Sequence, residues 1–135
     1  MSKSSIIKQV IVIRKDLNMR RGKQIAQGCH ASMKVILDMM EMIKFLSGYK
    51  WTLETLNNTP LEQWINGEFT KIVVSVDSEE ELLKLHQDAL NKEIPCSLIK
   101  DAGHTEFKEP TYTAVAIGPD ESEKIDELTG HLKLL

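Results

Sequence analysis

Lys23, Gln27, His30 and Lys34 recur at spacings of three and four, which at 100° per residue gathers them within about 60° on one side of a helix. Their centre lies roughly 140° from that of the apolar residues in the same stretch, so the stripe is polar and partly cationic. Lys23 to Lys34 covers about 16 Å at 1.5 Å per residue. Lys23 and Gln27 therefore sit toward the helix start, while His30 and Lys34 are placed to touch something large lying along the helix. Unsatisfied N–H groups at that start, reinforced by Arg20, Arg21 and Lys23, suit an anion. A solvated face is the commoner fate of such a stripe. The second polar group runs from Asp101 to Thr105. Asp101 follows an apolar strand and precedes Ala102-Gly103, a tight exit at which glycine permits unusual dihedrals. Asp101 can equally cap its own turn through the carboxylate, and Thr105, Thr111 and Thr113 can be ordinary strand or turn threonines.

Other chemistries lack their residues. Gln24 follows Gly22-Lys23 where a phosphate loop needs Ser or Thr, so nucleotide hydrolysis is not expected. Histidines 30, 86, 104 and 131 show no HxxxH or HExxH spacing and no Cys–His cluster, so neither a metal nor a cofactor is expected. There is no GxSxG elbow, and neither Cys29 nor Cys96 sits in a nucleophile motif or a CxxC pair. Trp51 and Trp64 read equally as core or recognition residues, and no strand has the aromatic pattern of an RNA-stacking sheet.

The elements that must position these residues can be read from hydrophobic patterning. Residues 6–14 form a β-branched, buried strand. Ile25, Cys29, Met33, Ile36, Met40 and Ile43 predict the core face of a helix over about 22–46, ended by Ser47-Gly48. Thr59-Pro60 starts a helix and Gly67 stops it. Strands follow at 70–76, 95–100 and 111–117, the last closed by Gly118-Pro119. Asp77 or Ser78 caps a helix with Leu82, Leu83, Leu85, Ala89 and Leu90 on its buried side. Asp120 caps a final helix over about 121–129, with Gly130 as its C-terminal cap. Alternating strands and helices predict one α/β domain over 1–135, its mostly parallel or mixed sheet covered on both faces. Ligands bind such sheets beyond the carboxyl ends of the strands. If the first and third strands are parallel, Arg14–Lys23 and Asp101–Thr105 share one rim.

Composition fits that reading. The chain has 135 residues, 41% of them hydrophobic and 27% charged, with four prolines, which excludes disorder, collagen and low-complexity linker. Val10–Ile13 is far short of the roughly 18 apolar residues that cross a bilayer, and residues 1–9 lack a secretory h-region. A soluble, cytoplasmic protein with reduced thiols and no membrane partner is expected. The net charge of −3 hides an asymmetry. Residues 1–50 hold ten basic and three acidic side chains, residues 51–135 seven and seventeen. Phosphates respond to the local field, so the basic half revives a nucleic-acid reading against two merely solvated faces.

In this order of elements, DLNMRRGKQIAQGCHA, SLIKDAGHT, AIGP and IDELTGHLKLL resemble the archaeal and eukaryotic type of peptidyl-tRNA hydrolase, the second family, over Gln9 to Leu135. The resemblance implies cleavage of the ester joining a peptide to the terminal ribose of tRNA. It also implies a three-layer α/β/α sandwich on a mixed, four-stranded sheet, usually dimeric and without a metal. The family's functional positions fall on Lys23, Asp101 and Thr105, with Gln27 and His30 nearby. Ester hydrolysis needs a positioned water, a proton acceptor and stabilisation of an oxyanion. On charge type alone, Asp101 would orient or deprotonate the water, Thr105 hold it, and Lys23 stabilise the oxyanion or leaving oxygen. Arg14, Arg20, Arg21 and Lys34, with Lys15, would bind tRNA phosphates. His104 stands where the family usually has arginine and Glu106 where glutamine is common, which weakens the positive field beside the site. The stretch from about Leu37 to Thr59 is longer than the family pattern. The alternatives are a non-catalytic RNA- or protein-binding module that kept the fold, and a small-molecule hydrolase using the same rim.

Overall fold

The structure is a computed structural model, which describes residues 6–104 and 106–135. The apolar run Ile7–Arg14 forms β1, followed by a 3-10 turn at Lys15–Leu17 and the long helix α1, Arg21–Met39. A hairpin comes next, β2 (Glu41–Phe45) and β3 (Gly48–Thr52), then α2 (Pro60–Asn66), β4 (Lys71–Val76) and α3 (Glu79–Asn91). β5 (Cys96–Asp101), β6 (Thr111–Glu121) and α4 (Ser122–Thr129) complete the chain. Thr59 caps α2 with Pro60 in its first turn, and Ser78 Oγ caps α3 by accepting from the Glu81 N–H.

The main sheet has the order β4-β1-β6-β5. β1 runs parallel to β4, and both β1 and β5 are antiparallel to β6. β1 and β5 therefore point the same way, and their carboxyl ends open on one rim. Alternation along the strands builds two cores. Val10, Val12, Val74, Val76, Val115 and Ile117 face α3 and α4, while Ile11, Ile13, Ile99, Ala114 and Ala116 face α1. The result is an α/β/α sandwich on a mixed four-stranded sheet.

Three expectations need correction. The helix does not run to 46: α1 ends at Met39, and 41–52 is the β2–β3 hairpin. Met40 and Ile43 continue the helical spacing by coincidence, while Ile43, Phe45, Tyr49, Trp51 and Thr52 favour strand, and Leu46-Ser47 turns the chain into Gly48, the first residue of β3, so Ser47-Gly48 caps no helix. The buried face of α1 is also not the apolar one. Ile25 and Met33 are 61% and 63% exposed and Cys29 is exposed, whereas Gln27, Gly28, Ala31 and Val35 are buried. The bulky Ile11, Ile13 and Ile99 beneath the helix favour small residues above them. Gly28 lies so close that a Cβ there would stand 3.6 Å from Ile11 Cγ2. Gln27 can be buried because both ends of its amide have a partner. Lastly, β6 does not stop at Gly118-Pro119 but continues to Glu121, pairing Asp120 with Lys8 and Glu121 with Ile7.

Candidate active site

Lys23 stands in the first turn of α1, just beyond the carboxyl end of β1, and Asp101 is the last residue of β5. The shared rim brings them together: Lys23 Nζ donates to Asp101 Oδ1 at 2.7 Å, with side chains 12% and 11% exposed. One helical turn on, Gln27 Nε2 points at the same oxygen from 3.4 Å. Asp101 Oδ2 accepts from the Gly103 N–H at 3.0 Å. That bond depends on a left-handed backbone at Gly103, φ +86°, where a Cβ would come within 2.7 Å of the Glu109 carbonyl carbon. Asp101 thus caps its own turn through Oδ2 and meets Lys23 and Gln27 through Oδ1.

The Asp101 carboxyl is held below the usual carboxylate range. The Lys23 hydrogen bond is the largest cause, opposed by burial and assisted by the Gly103 N–H, the Lys23 charge and the Gln27 amide. A carboxylate so stabilised is a weak proton acceptor. It is better suited to fixing an ammonium and a water than to deprotonating that water. Lys23 also lies over the Phe107 ring, 5.5 Å from its centroid, a contact that favours a cation. α1 carries no acidic residue in its first turn, so its dipole adds to the positive field at Lys23.

Behind the cluster stands Thr113, fully buried, whose hydroxyl donates to Gln27 Oε1. That bond fixes which end of the Gln27 amide faces Asp101. Thr113 reaches α1 because the β5–β6 ladder skips it: Ile99 lies opposite Ala114 and Lys100 opposite Tyr112. The extra residue of a bulge re-aims its side chain. Thr113's place in the cluster was not legible in residue types, since a bulge leaves no mark in a two-residue period, and Phe107 lies between β5 and β6, where no period applies.

A model of the family described as "Peptidyl-tRNA hydrolase PTH2" matches residues 7–135. The chain belongs to this peptidyl-tRNA hydrolase family. Among its relatives, the peptidyl-tRNA hydrolase of Methanocaldococcus jannaschii is 43% identical over 129 residues, covering 96% of this chain and all of the relative. That of Staphylothermus marinus is 42% identical over 135 residues and the full length of both. That of Methanopyrus kandleri is 39% identical over 128 residues, 95% of this chain and 97% of its own.

The other positions singled out in this family member divide sharply. Thr105 lies outside the described residues. His30, Lys34 and His104 are exposed, with Lys34 Nζ donating to Asp38 Oδ1 at 3.1 Å. Arg20 is almost wholly exposed, 3.9 Å from Glu106. Arg21 turns away from the cluster and lines an apolar groove on the other flank of α1. Arg14 requires correction as a phosphate ligand. It is buried, donates from Nε and Nη2 to the two Asp16 oxygens at 3.1 and 2.6 Å, and from Nη1 to the Tyr112 carbonyl at 3.1 Å. Its guanidinium is committed to holding the chain leaving β1. Among the described residues, no group of three or more His, Cys, Asp and Glu side chains could hold a metal ion, and no helix is long and apolar enough to cross a membrane.

Proposed function

We propose that this member of the peptidyl-tRNA hydrolase family cleaves the ester between the peptide and the terminal ribose of peptidyl-tRNA at the Lys23–Asp101–Gln27 cluster. The observation that carries the reading is the 2.7 Å bond between Lys23 and Asp101, an ammonium and a carboxylate 78 residues apart at the open end of the sheet. As water adds to the ester carbonyl carbon its proton passes to the neighbouring solvent and Lys23 lends positive charge to the oxyanion; when the ester C–O bond breaks, the ribose oxygen takes up a proton from that solvent and leaves as a hydroxyl, steadied by Lys23. Asp101 holds Lys23 and orients the water, and Gln27 fixes Asp101 in turn. Thr105, on the family resemblance, holds the same water. The RNA backbone lies along the exposed side of α1, on Arg20, His30 and Lys34, with His104 and Arg21 at the margins. These contacts read phosphates and not sequence. The protein works in the cytoplasm beside translation, and as a homodimer.

The test is release of the acyl group from an N-acetylaminoacyl-tRNA. Wild type releases it, while Lys23→Ala and Asp101→Ala are slower by about 10²–10³-fold, the cost of removing one oxyanion-stabilising group. Equal rates for all three would remove the cluster from the chemistry. Retention of tRNA without turnover by the wild type would make the protein a binding module.

A further inference from the structure

The two tryptophans that residue types leave undecided part company in the structure. Trp64 is 1% exposed and its Nε1 donates to the Thr70 carbonyl at 2.8 Å, so it belongs to the core. Trp51 is 57% exposed and stands on the β2–β3 hairpin, within the stretch that is longer than the family pattern. Every residue from Glu41 to Ser47 and from Tyr49 to Trp51 is exposed. The register sets Met42 opposite Trp51 and Lys44 opposite Tyr49. Opposed residues share a face and successive ones alternate, so one face of the ribbon presents Met42, Lys44, Tyr49 and Trp51. The Tyr49 and Trp51 rings stand 5.8 Å apart, tilted by 41°. Glu41 belongs to the other face, so this one carries a cation and no acid. Helical spacing continued through Ile43 hides that alternation in the sequence, which is why no stacking strand is expected there.

We propose that this face is a stacking platform for unpaired nucleotides of the tRNA substrate. It rests on the hydrolase reading for the identity of the RNA and adds a binding element outside the Lys23–Asp101–Gln27 cluster. Charge and ring chemistry select the occupant. Lysines 8, 34, 84, 92 and 124 each meet a carboxylate, whereas Lys44 and Lys50 have no ion pair among the described residues. Two uncommitted cations, one directly across from Tyr49 and the other between Tyr49 and Trp51 in sequence, suit the phosphates that flank a stacked base. Lysine is depleted from the cores of protein interfaces, so a protein partner fits this face less well than RNA. Each ring accepts a base by its π-face whatever the sequence. The tilt lets two neighbouring bases splay onto separate rings. In a duplex those base faces are already stacked, so the platform takes unpaired nucleotides. Position agrees. β2 begins two residues after Met39, the end of α1, and Lys23 to Met39 spans about 24 Å at 1.5 Å per residue. The platform thus follows directly on the helix that carries His30 and Lys34, at the end remote from the ester.

The test is binding of uncharged tRNA, and of single-stranded and duplex RNA oligonucleotides of equal length, to the full chain, read by tryptophan emission and filter binding. Trp51 is the exposed emitter, so single-stranded RNA is expected to quench it and duplex RNA to leave it unchanged. Trp51→Ala and Tyr49→Ala are each expected to weaken tRNA binding about tenfold with unchanged circular dichroism, and Trp51→Phe to restore most of the affinity. Lys44→Gln is expected to lower the salt slope of binding by about 0.7, the value for one phosphate of a single strand, while Trp51→Ala leaves that slope alone. Undiminished tRNA affinity in Trp51→Ala and Tyr49→Ala would overturn the inference, as would equal quenching by duplex RNA. Undiminished affinity with a changed molecular mass would overturn it too, and would assign the face to a protein contact. A wild type that binds RNA through Trp51 yet releases no acyl group from N-acetylaminoacyl-tRNA would leave the platform standing and overturn the hydrolase reading alone.

Discussion

Asp101 serves two masters, and its two oxygens show how. Oδ1 takes the Lys23 ammonium and the Gln27 amide, while Oδ2 takes the Gly103 N–H. Its depressed pKa has a defined consequence for stability. A carboxyl whose folded pKa lies below its unfolded value, about 3.9, contributes stability that is fully present above that value and is lost as pH falls through the folded one. Asp101→Asn is therefore expected to be less stable than wild type at neutral pH, with the gap closing as pH drops below about 4. Urea denaturation at a series of pH values measures this, and a gap independent of pH would show that the charge of Asp101 does not contribute. Thr113 acts one step further back. Thr113→Val leaves a buried Gln27 oxygen without its donor, at a cost of about 1–3 kcal/mol, and frees the amide to flip. The turnover number should fall with KM little changed, and Thr113→Ser should restore it. Equal loss in both variants would point to packing instead of amide orientation.

Elements differ in how plainly their residues announce them. The Thr59-Pro60 and Ser78 helix starts were legible because a cap is a local device, satisfied by one side chain and the N–H groups just after it. α1 was legible as a helix but not in which face it buries. Apolar periodicity marks a stripe that wants covering without saying what covers it. Here the sheet takes the small-residue stripe at Gly28 and Ala31 and leaves Ile25 and Met33 to the groove. The hairpin was missed because two five-residue strands that project from the body carry no one-sided alternation. The Lys23–Asp101 meeting was half legible: each residue sits at a strand or helix end, but their approach depends on β1 and β5 sharing a direction. That follows from both pairing with β6. One element-scale prediction concerns the turn after β5. Gly103→Ala forces a Cβ into the Glu109 backbone and disturbs the N–H that holds Asp101. Its kcat/KM should fall at least tenfold while the thermal midpoint shifts by only a few degrees, as expected for a local defect. Unchanged catalysis would mean that the N–H bond is dispensable.

For the whole molecule, the separation of charge matters more than its total. The acidic excess after residue 50 includes the first turn of α3, Glu79–Glu81, while the basic side chains that remain exposed include Arg20, Arg21 and Lys34 along α1. A phosphate backbone laid on that side releases counterions, so log affinity for tRNA should fall linearly with log salt. Arg20→Gln and Lys34→Gln should each reduce the slope by about one, whereas Arg14, already spent on Asp16 and Tyr112, should contribute nothing to it. Filter binding across a salt series reads these slopes. The central claim is that Lys23 acts on the reacting ester and not on the grip of the RNA. Single-turnover hydrolysis with enzyme in excess separates the two. Lys23→Ala should show a dissociation constant for N-acetylaminoacyl-tRNA within a few-fold of wild type and a chemical step slowed by about 10²-fold or more. A chemical step of unchanged rate, with binding weakened instead, would contradict the account.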